Sequence, residues 1–179
     1  SVTALERLFV AEVLEQDPKA KSINQALGGY GAGVAAVAAM HARVRKGAGL
    51  ANEKRGMHVV FVAHADVETM RLPDADDYMR YSLRLPPKSM PPYVDDVDVV
   101  GFLRLVTFTK GDDGERKKAI STGDRELVCH AVASNISKNR YGLTEALPFA
   151  TGENPLFAVI PALGAKHAIA AKAAQKEGE

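Results

Sequence analysis

Cysteine occurs once in the 179 residues, at Cys129. A single thiol rules out an internal disulfide framework and a cysteine-rich zinc site. It also makes a reducing, cytoplasmic setting the expectation. The 5 histidines, His41, His58, His64, His130 and His167, form no HxH or HxxxH pair, so a zinc centre is not expected. No apolar run reaches the ~18 residues of a membrane span, and no basic-then-apolar leader opens the chain. Charge of one sign is not in excess. With a net charge of +1, any role with nucleic acid must rest on local patches. No G-x-S-x-G is present, which removes the nucleophile elbow of the α/β-hydrolases. No G-x-x-x-x-G-K-[ST] is present either, so the main phosphate-cradling loop of the P-loop NTPases is not in this sequence.

The composition, 46% apolar and 25% charged, is that of an ordinary globular protein, and the length suits one domain. The chain opens without Met, directly at a helix N-terminus, with Ser1 or Thr3 as the cap. Val2, Leu5, Leu8, Phe9 and Val13 follow a helical stripe, so residues 2–15 read as an amphipathic helix ending before Asp17-Pro18. Residues 18–30 form a loop with a short helical turn at Ile23–Leu27. Gly28, Gly29, Gly31 and Gly33 invite comparison with a phosphate loop, but no apolar strand precedes them. A loop leading into a helix is the simpler reading. A second helix runs from about Ala32 to Arg45 and can continue past Gly47 and Gly49 to Lys54. His41, Arg43, Arg45 and Lys46 crowd its expected end, where cations suit the helix dipole.

The organising stretch is Met57 to His64, MHVVFVAH. A short run of consecutive apolar, β-branched residues reads as a strand buried on both faces, as in a parallel sheet. His64 then stands at its carboxyl end, where open α/β sheets bind ligands. It can equally be a solvated residue closing a strand.

After His64 residues 65–76 are polar and mixed in charge. Tyr78 to Leu85 alternates and reads as a strand with one wet face. Pro86 to Pro92 is a stiff loop, and Tyr93–Val97 fits a short helical turn. Asp98 to Leu105 reads as a second buried strand, continuing or bulging into Val106–Lys110. Gly111-Asp112-Asp113-Gly114 signals a hairpin turn. Arg116–Ser121 and Glu126–Ala131 read as antiparallel strands with a turn at Gly123-Asp124. Residues 155–163 can form one short element, and Lys166–Lys176 reads as an Ala- and Lys-rich helix that frays.

Few residues carry chemistry on local grounds. Asp95, Asp96 and Asp98 could ligate Mg²⁺, though a helix-to-strand turn with solvated acids accounts for them more simply. Lys138 and Arg140 lie two apart on an extended segment and so project to the same side. They could clamp phosphate oxygens, Lys as a point charge and Arg as a fork, or be a solvated basic turn. Arg71, Arg80, Arg84 and Lys88 form one basic set, and Lys110, Arg116, Lys117 and Lys118 another. Either could follow a nucleic-acid backbone. Charges also protect the edges of surface strands.

Taken in order, several segments resemble a known family. They are the opening SVTALE, Tyr30-Gly31 before a long helix, HVVFVAH at 58–64, DDVDVVGFL at 95–103 and SKNRYGL at 137–143. They look like the carboxy-terminal portion of the RecA-like, AAA-type ATPases of bacteriophages, the phage nucleotide-binding proteins linked to single-strand annealing and recombination. The resemblance covers about Ser1 to Leu147. In that family SVTALE follows the Walker B strand and its Asp, with the Walker A loop further upstream. The expectation is therefore a sequence that begins just after Walker B and hydrolyses no ATP alone.

The resemblance implies an α/β fold, a RecA-like P-loop NTPase core truncated at its N-terminus, with an antiparallel strand extension. Residues 1–147 would be that core and 148–179 a tail with a helix. ATP and Mg²⁺ would be cofactors of the longer protein only. His64 matches the polar residue that senses the γ-phosphate and relays to DNA. Lys138 and Arg140 match a K-x-R pair that reaches the nucleotide of a neighbouring subunit. The implied partners are single-stranded DNA, further copies of the chain, and a phage single-strand annealing or single-strand-binding protein. The competing reading is a non-enzymatic DNA-binding or oligomerisation module.

Overall fold

A computed structural model describes residues 1–74, 76–110, 118–160 and 162–163. They divide into two compact units, Ser1–Val97 and Asp98–Glu179.

The first unit opens with helix α1, Val2–Gln16. Ser1 caps it, its side-chain oxygen accepting from the Ala4 amide at 3.3 Å, which satisfies one of the orphan N–H groups of the first turn. Asp17, with Pro18 behind it, ends the helix. Residues 18–30 turn back through a short 3₁₀ segment at Ala26–Gly28. From Leu27 to Gly31 each residue has a positive φ, and Gly31 at φ 82° is the left-handed cap of helix α2, Ala32–Arg55. Gly33 is needed for a different reason: a Cβ there would stand 2.3 Å from the Ile23 carbonyl oxygen. Its missing side chain lets the loop lie on the helix.

Helix α2 runs through Gly47 and Gly49 to a left-handed Gly56, with Lys54 and Arg55 in its last turn. Those cations offset the negative end of the helix dipole. Val13 of α1, Ala26 and Val37 of α2 form one small core, with Phe9, Leu14, Ile23 and Met40 around it. Full burial of such side chains contributes about 1.5–3 kcal/mol each.

Strands β1, Ala65–Met70, and β2, Tyr78–Leu83, form an antiparallel hairpin in which Ala65 faces Leu83 and Met70 faces Tyr78. The polar stretch after His64 is thus a strand, which its lack of apolar alternation concealed. Its residues are mostly exposed. Helix α3, Pro91–Val94, closes the unit, and its Tyr93 joins Val2 and Leu85 in a second core cluster.

The run 57–64 departs from the expected buried strand. No strand is assigned to it, and Met57, Val59, Val60 and Val62 are exposed. Two backbone bonds hold its end: the Val2 amide donates to the Val62 carbonyl at 2.8 Å, and the Arg84 amide to the His64 carbonyl at 2.8 Å. Phe61 and Ala63 pack on the Val2, Leu85 and Tyr93 cluster. The physical reason is a missing ladder. Apolar residues favour a sheet interior only where neighbouring strands lie beside them, and among the described residues none does.

The second unit is built from strands. β3, Val99–Val100, pairs antiparallel with β6, Lys138–Asn139. β4, Phe102–Lys110, pairs with β5, Lys118–Val128, which also pairs with β7, Leu147–Phe149. The register shifts between Leu105 and Thr107, as a bulge requires. Two expectations change here. Gly123 at φ 86° does not break the chain into two strands; it lies inside the continuous β5. The stretch 98–105 is not a buried strand either, since Leu103 and Leu105 are exposed. Helix α4, Leu156–Val159, follows, and Leu127 and Cys129 anchor a core with Val99, Leu143, Leu147, Phe149 and Ile160. The expected turn at 111–114 and the expected helix at 166–176 lie outside the described residues.

The mixture of helices and strands makes the chain α/β, with antiparallel pairing throughout the described residues. No helix among them is long and apolar enough to cross a membrane.

Candidate functional site

His64 ends the exposed apolar run. Its amide donates to the Thr3 hydroxyl at 3.0 Å, and its carbonyl accepts from Arg84. Its backbone is thus bonded to Thr3 of α1 and to Arg84, just past β2, while the residue is exposed.

The basic residues expected along this part of the chain are mostly compensated. Arg80 meets Glu68 at 2.7 Å across the hairpin, Arg84 meets Asp66 at 3.5 Å, and Arg71 lies 3.7 Å from Asp77. Arg84 also donates to the Ala65 carbonyl at 3.2 Å. The cross-strand acids stand opposite the arginines because the register places Glu68 against Arg80. Lys88 lies elsewhere, its Nζ 3.7 Å from where a Cβ on Gly31 would be. It therefore sits beside the left-handed loop, at whose tip Tyr30 is fully exposed.

A buried polar group escaped sequence reasoning altogether. His41 is fully buried on α2, its Nδ1 2.7 Å from the Tyr93 hydroxyl and its Nε2 2.8 Å from a Glu6 carboxylate oxygen. Phe9 packs edge-on against its ring. Burial pushes the Tyr93 hydroxyl above its ordinary pKa, and the Glu6 carboxylate adds to the effect. His41 was expected among the cations at a helix end. It is instead mid-helix, because α2 continues to Arg55. The signal lay in the spacing: Gly33, Val37 and His41 are the buried residues of α2, four apart on one face. The triad ties α1, α2 and α3 together around a fully buried imidazole.

In the second unit Lys138 and Arg140 flank Asn139. The ladder Val99↔Asn139 and Val100↔Lys138 continues as the Arg140 amide donates to the Asp98 carbonyl at 3.1 Å. The Arg140 guanidinium meets an Asp98 carboxylate oxygen at 3.1 Å, both side chains more than half exposed. Lys138 is half-buried and Arg140 exposed. The Asn139 side chain ties the local backbone on both sides of it, to Cys129 and to Tyr141 and Leu143. Ser137 and Asn135 add to the network: the Ser137 hydroxyl donates to the His130 carbonyl and accepts from the Asn135 amide at 2.9 Å.

Lys110 and Lys118 are the last described register pair of β4 and β5. Arg116 and Lys117 lie outside the described residues. The acids at 95–98 behave as a turn. The Asp95 amide bonds back to the Pro91 carbonyl at 2.8 Å, Arg45 donates to the Asp96 carbonyl, and Asp98 holds Arg140. Among the described residues no group of three His, Cys, Asp or Glu is placed to hold a metal ion.

No curated protein and no solved structure matches the chain. A family model described as an AAA domain matches residues 1–141, which takes in the opening helix, His64 and the Lys138–Arg140 segment. The match covers most of the sequence, and the chain belongs to this AAA domain family of nucleotide-binding, ATPase-like modules.

Proposed function

We propose that the chain is the carboxy-terminal portion of a RecA-like phage ATPase that acts on single-stranded DNA in recombination or replication. In this reading Arg140, with Lys138 beside it, reaches the nucleotide held by a neighbouring copy. The observation that carries it is the presentation of Arg140: an exposed guanidinium on a turn whose backbone is fixed, inside the matched AAA domain. In the same reading His64 couples nucleotide state to the β1–β2 hairpin that follows it; its support is the resemblance, together with the backbone bonds that hold it at the end of the apolar run.

The described residues do not by themselves make an Mg²⁺–ATP pocket. The sequence has no G-x-x-x-x-G-K-[ST], and the described residues gather no metal-ligand cluster. What Arg140 supplies is a planar fork for charge that develops on phosphoryl oxygens in the transition state. The 179-residue chain alone is accordingly expected to show no ATP turnover above background.

DNA contact along β1 and β2 would require Arg80, Arg84 and Arg71 to exchange their carboxylate partners for phosphates, and Lys88 would add a further cation. The exposed faces of Val59, Val60 and Val62 favour a second role, assembly with further copies or with a phage annealing or single-strand-binding protein. A module with that role alone would show no dependence of turnover on Arg140.

The test is made in the natural protein that carries this sequence. Arg140→Ala should lower kcat about a thousandfold with little change in ATP affinity, because a finger stabilises the transition state rather than bound ATP. Arg140→Lys should rescue poorly, since an ammonium lacks the fork. Mixing Arg140→Ala with a Walker A variant should restore some turnover. Weakened DNA binding with turnover intact would instead make the pair a phosphate-backbone contact.

A further inference from the structure

Asn139, between Lys138 and Arg140, engages its side chain with four backbone groups. The Asn139 amide nitrogen donates to the Cys129 carbonyl at 2.8 Å and to the Leu143 carbonyl at 2.9 Å. Its oxygen accepts from the Tyr141 and Leu143 amides, both at 3.0 Å. Both donors and both acceptor sites of the carboxamide are engaged, and no other side chain offers that set at that length. Aspartate keeps the acceptors and loses the donors. Alanine loses everything, and glutamine is one methylene too long.

These bonds bracket Arg140. On one side it is held by the β3–β6 ladder, where its own amide donates to Asp98. On the other, Asn139 fixes Tyr141 and Leu143, across the left-handed Gly142 at φ 73°. The backbone of Arg140 thus lies between two anchored points. Its head group is held differently. The pair with Asp98 is exposed, 65% and 62% for the two side chains, and exposed pairs are readily exchanged because water screens them. The segment combines a fixed base with an exchangeable head.

We propose that Asn139 is a positioning residue for Arg140, setting the origin from which the guanidinium leaves Asp98 and reaches a phosphate of a nucleotide on a neighbouring copy. This assignment rests on the finger reading of Arg140. Preorganisation is where such a residue acts. A group that must meet developing charge loses effect when its anchor shifts by an ångström, by up to about a hundredfold. Asn139 acts through Arg140 and touches no substrate.

The experiment is a double-mutant cycle on ATP turnover in the natural protein, with Asn139→Ala, Asn139→Asp, Arg140→Ala and the two double variants. Asn139→Ala should lower kcat by up to about a hundredfold with KM for ATP changed less than about twofold. Asn139→Asp, which keeps the Tyr141 and Leu143 amides bonded, should fall between it and the parent. Each double variant should be no slower than Arg140→Ala alone, because the Asn has no effect once the head is gone. Full turnover by Asn139→Ala beside an impaired Arg140→Ala overturns the positioning role and leaves the finger standing. Losses that multiply in the double variants overturn it too, since Asn139 then acts independently. Unimpaired Arg140→Ala, or no turnover in the parent, removes the finger and the positioning role together. Loss of the cooperative thermal transition in both Asn139 single variants makes the residue one of folding, and the assignment falls.

Discussion

Residues 57–64 and 137–143 are opposites in composition and in structure. The first is almost wholly apolar, and four of its large side chains are exposed. The second is polar and basic, and its backbone is tied by Asn139, by Ser137 and by the β3 ladder. The segment that looks like a core element is bare, and the segment that looks like a solvated turn is closely bound. Hydrophobic pattern says what a residue favours. It does not say whether the partner that would bury it lies within reach. Polar side chains, in turn, can serve the backbone as well as water.

The comparison is sharpened most by removing what anchors the apolar run. Phe61 packs on the Val2, Leu85 and Tyr93 cluster, its ring 5.1 Å from that of Tyr93 in an edge-on arrangement. Phe61→Ala should destabilise the first unit by about 3 kcal/mol, at the low end for a buried ring because Phe61 is only half-buried. Urea unfolding measures it. A loss under about 1 kcal/mol would mean that the run is not held through this face.

What the sequence made legible follows the same division. The helices were readable because their information is local: Ser1 before a 3.6-residue stripe, and an alanine-rich stretch closed by Gly56. The β1 strand was not, because its burial is slight and its partner, β2, supplies the order. The expected turn at Gly123 is a bulge instead: Thr122, Gly123 and Asp124 leave the ladder opposite Val106, and pairing holds at Ser121 and Arg125 on either side, so β5 continues through it. Of the candidate site, the sequence offers His64 and the Lys138–Arg140 spacing only as candidates, and the ties that hold their backbones are not legible in it. Thr3 and His64, or Cys129 and Asn139, are remote in sequence, and nothing in either segment announces the other. The His41 triad was hidden for that reason too.

The second prediction probes the bound segment through Cys129, whose carbonyl receives Asn139. Its thiol is fully buried, and burial raises its pKa from 9.0 to about 11. Between those values the unfolded chain has lost the proton and the folded chain keeps it. The unfolded state binds fewer protons there, so stability falls as pH rises from about 9 to 11 and is unaffected below. The loss should reach up to about 2 kcal/mol by the upper end. Urea unfolding at several pH values reads the slope, and Cys129→Ala should flatten it. An equal slope in the variant would assign the effect to other groups and leave the thiol without a part.

The smallest effect is expected where the apolar run is barest. Val60 and Val62 are 62% and 63% exposed, and the bond to Val62 uses its carbonyl rather than its side chain. Val60→Lys and Val62→Lys should each change the stability of the monomeric 179-residue chain by less than about 0.5 kcal/mol, as surface substitutions do. Their effect should appear in association instead. An extended apolar segment with an open edge pairs with other chains, and a lysine on it opposes that pairing. Light scattering across a concentration series should show the parent self-associating and the lysine variants less so. Two results would break the comparison. If the parent stays a clean monomer, the bare run has no appetite for a partner. If either lysine costs the monomer more than about 2 kcal/mol, the face is covered by the chain itself, and the run is no less bound than the Asn139 turn.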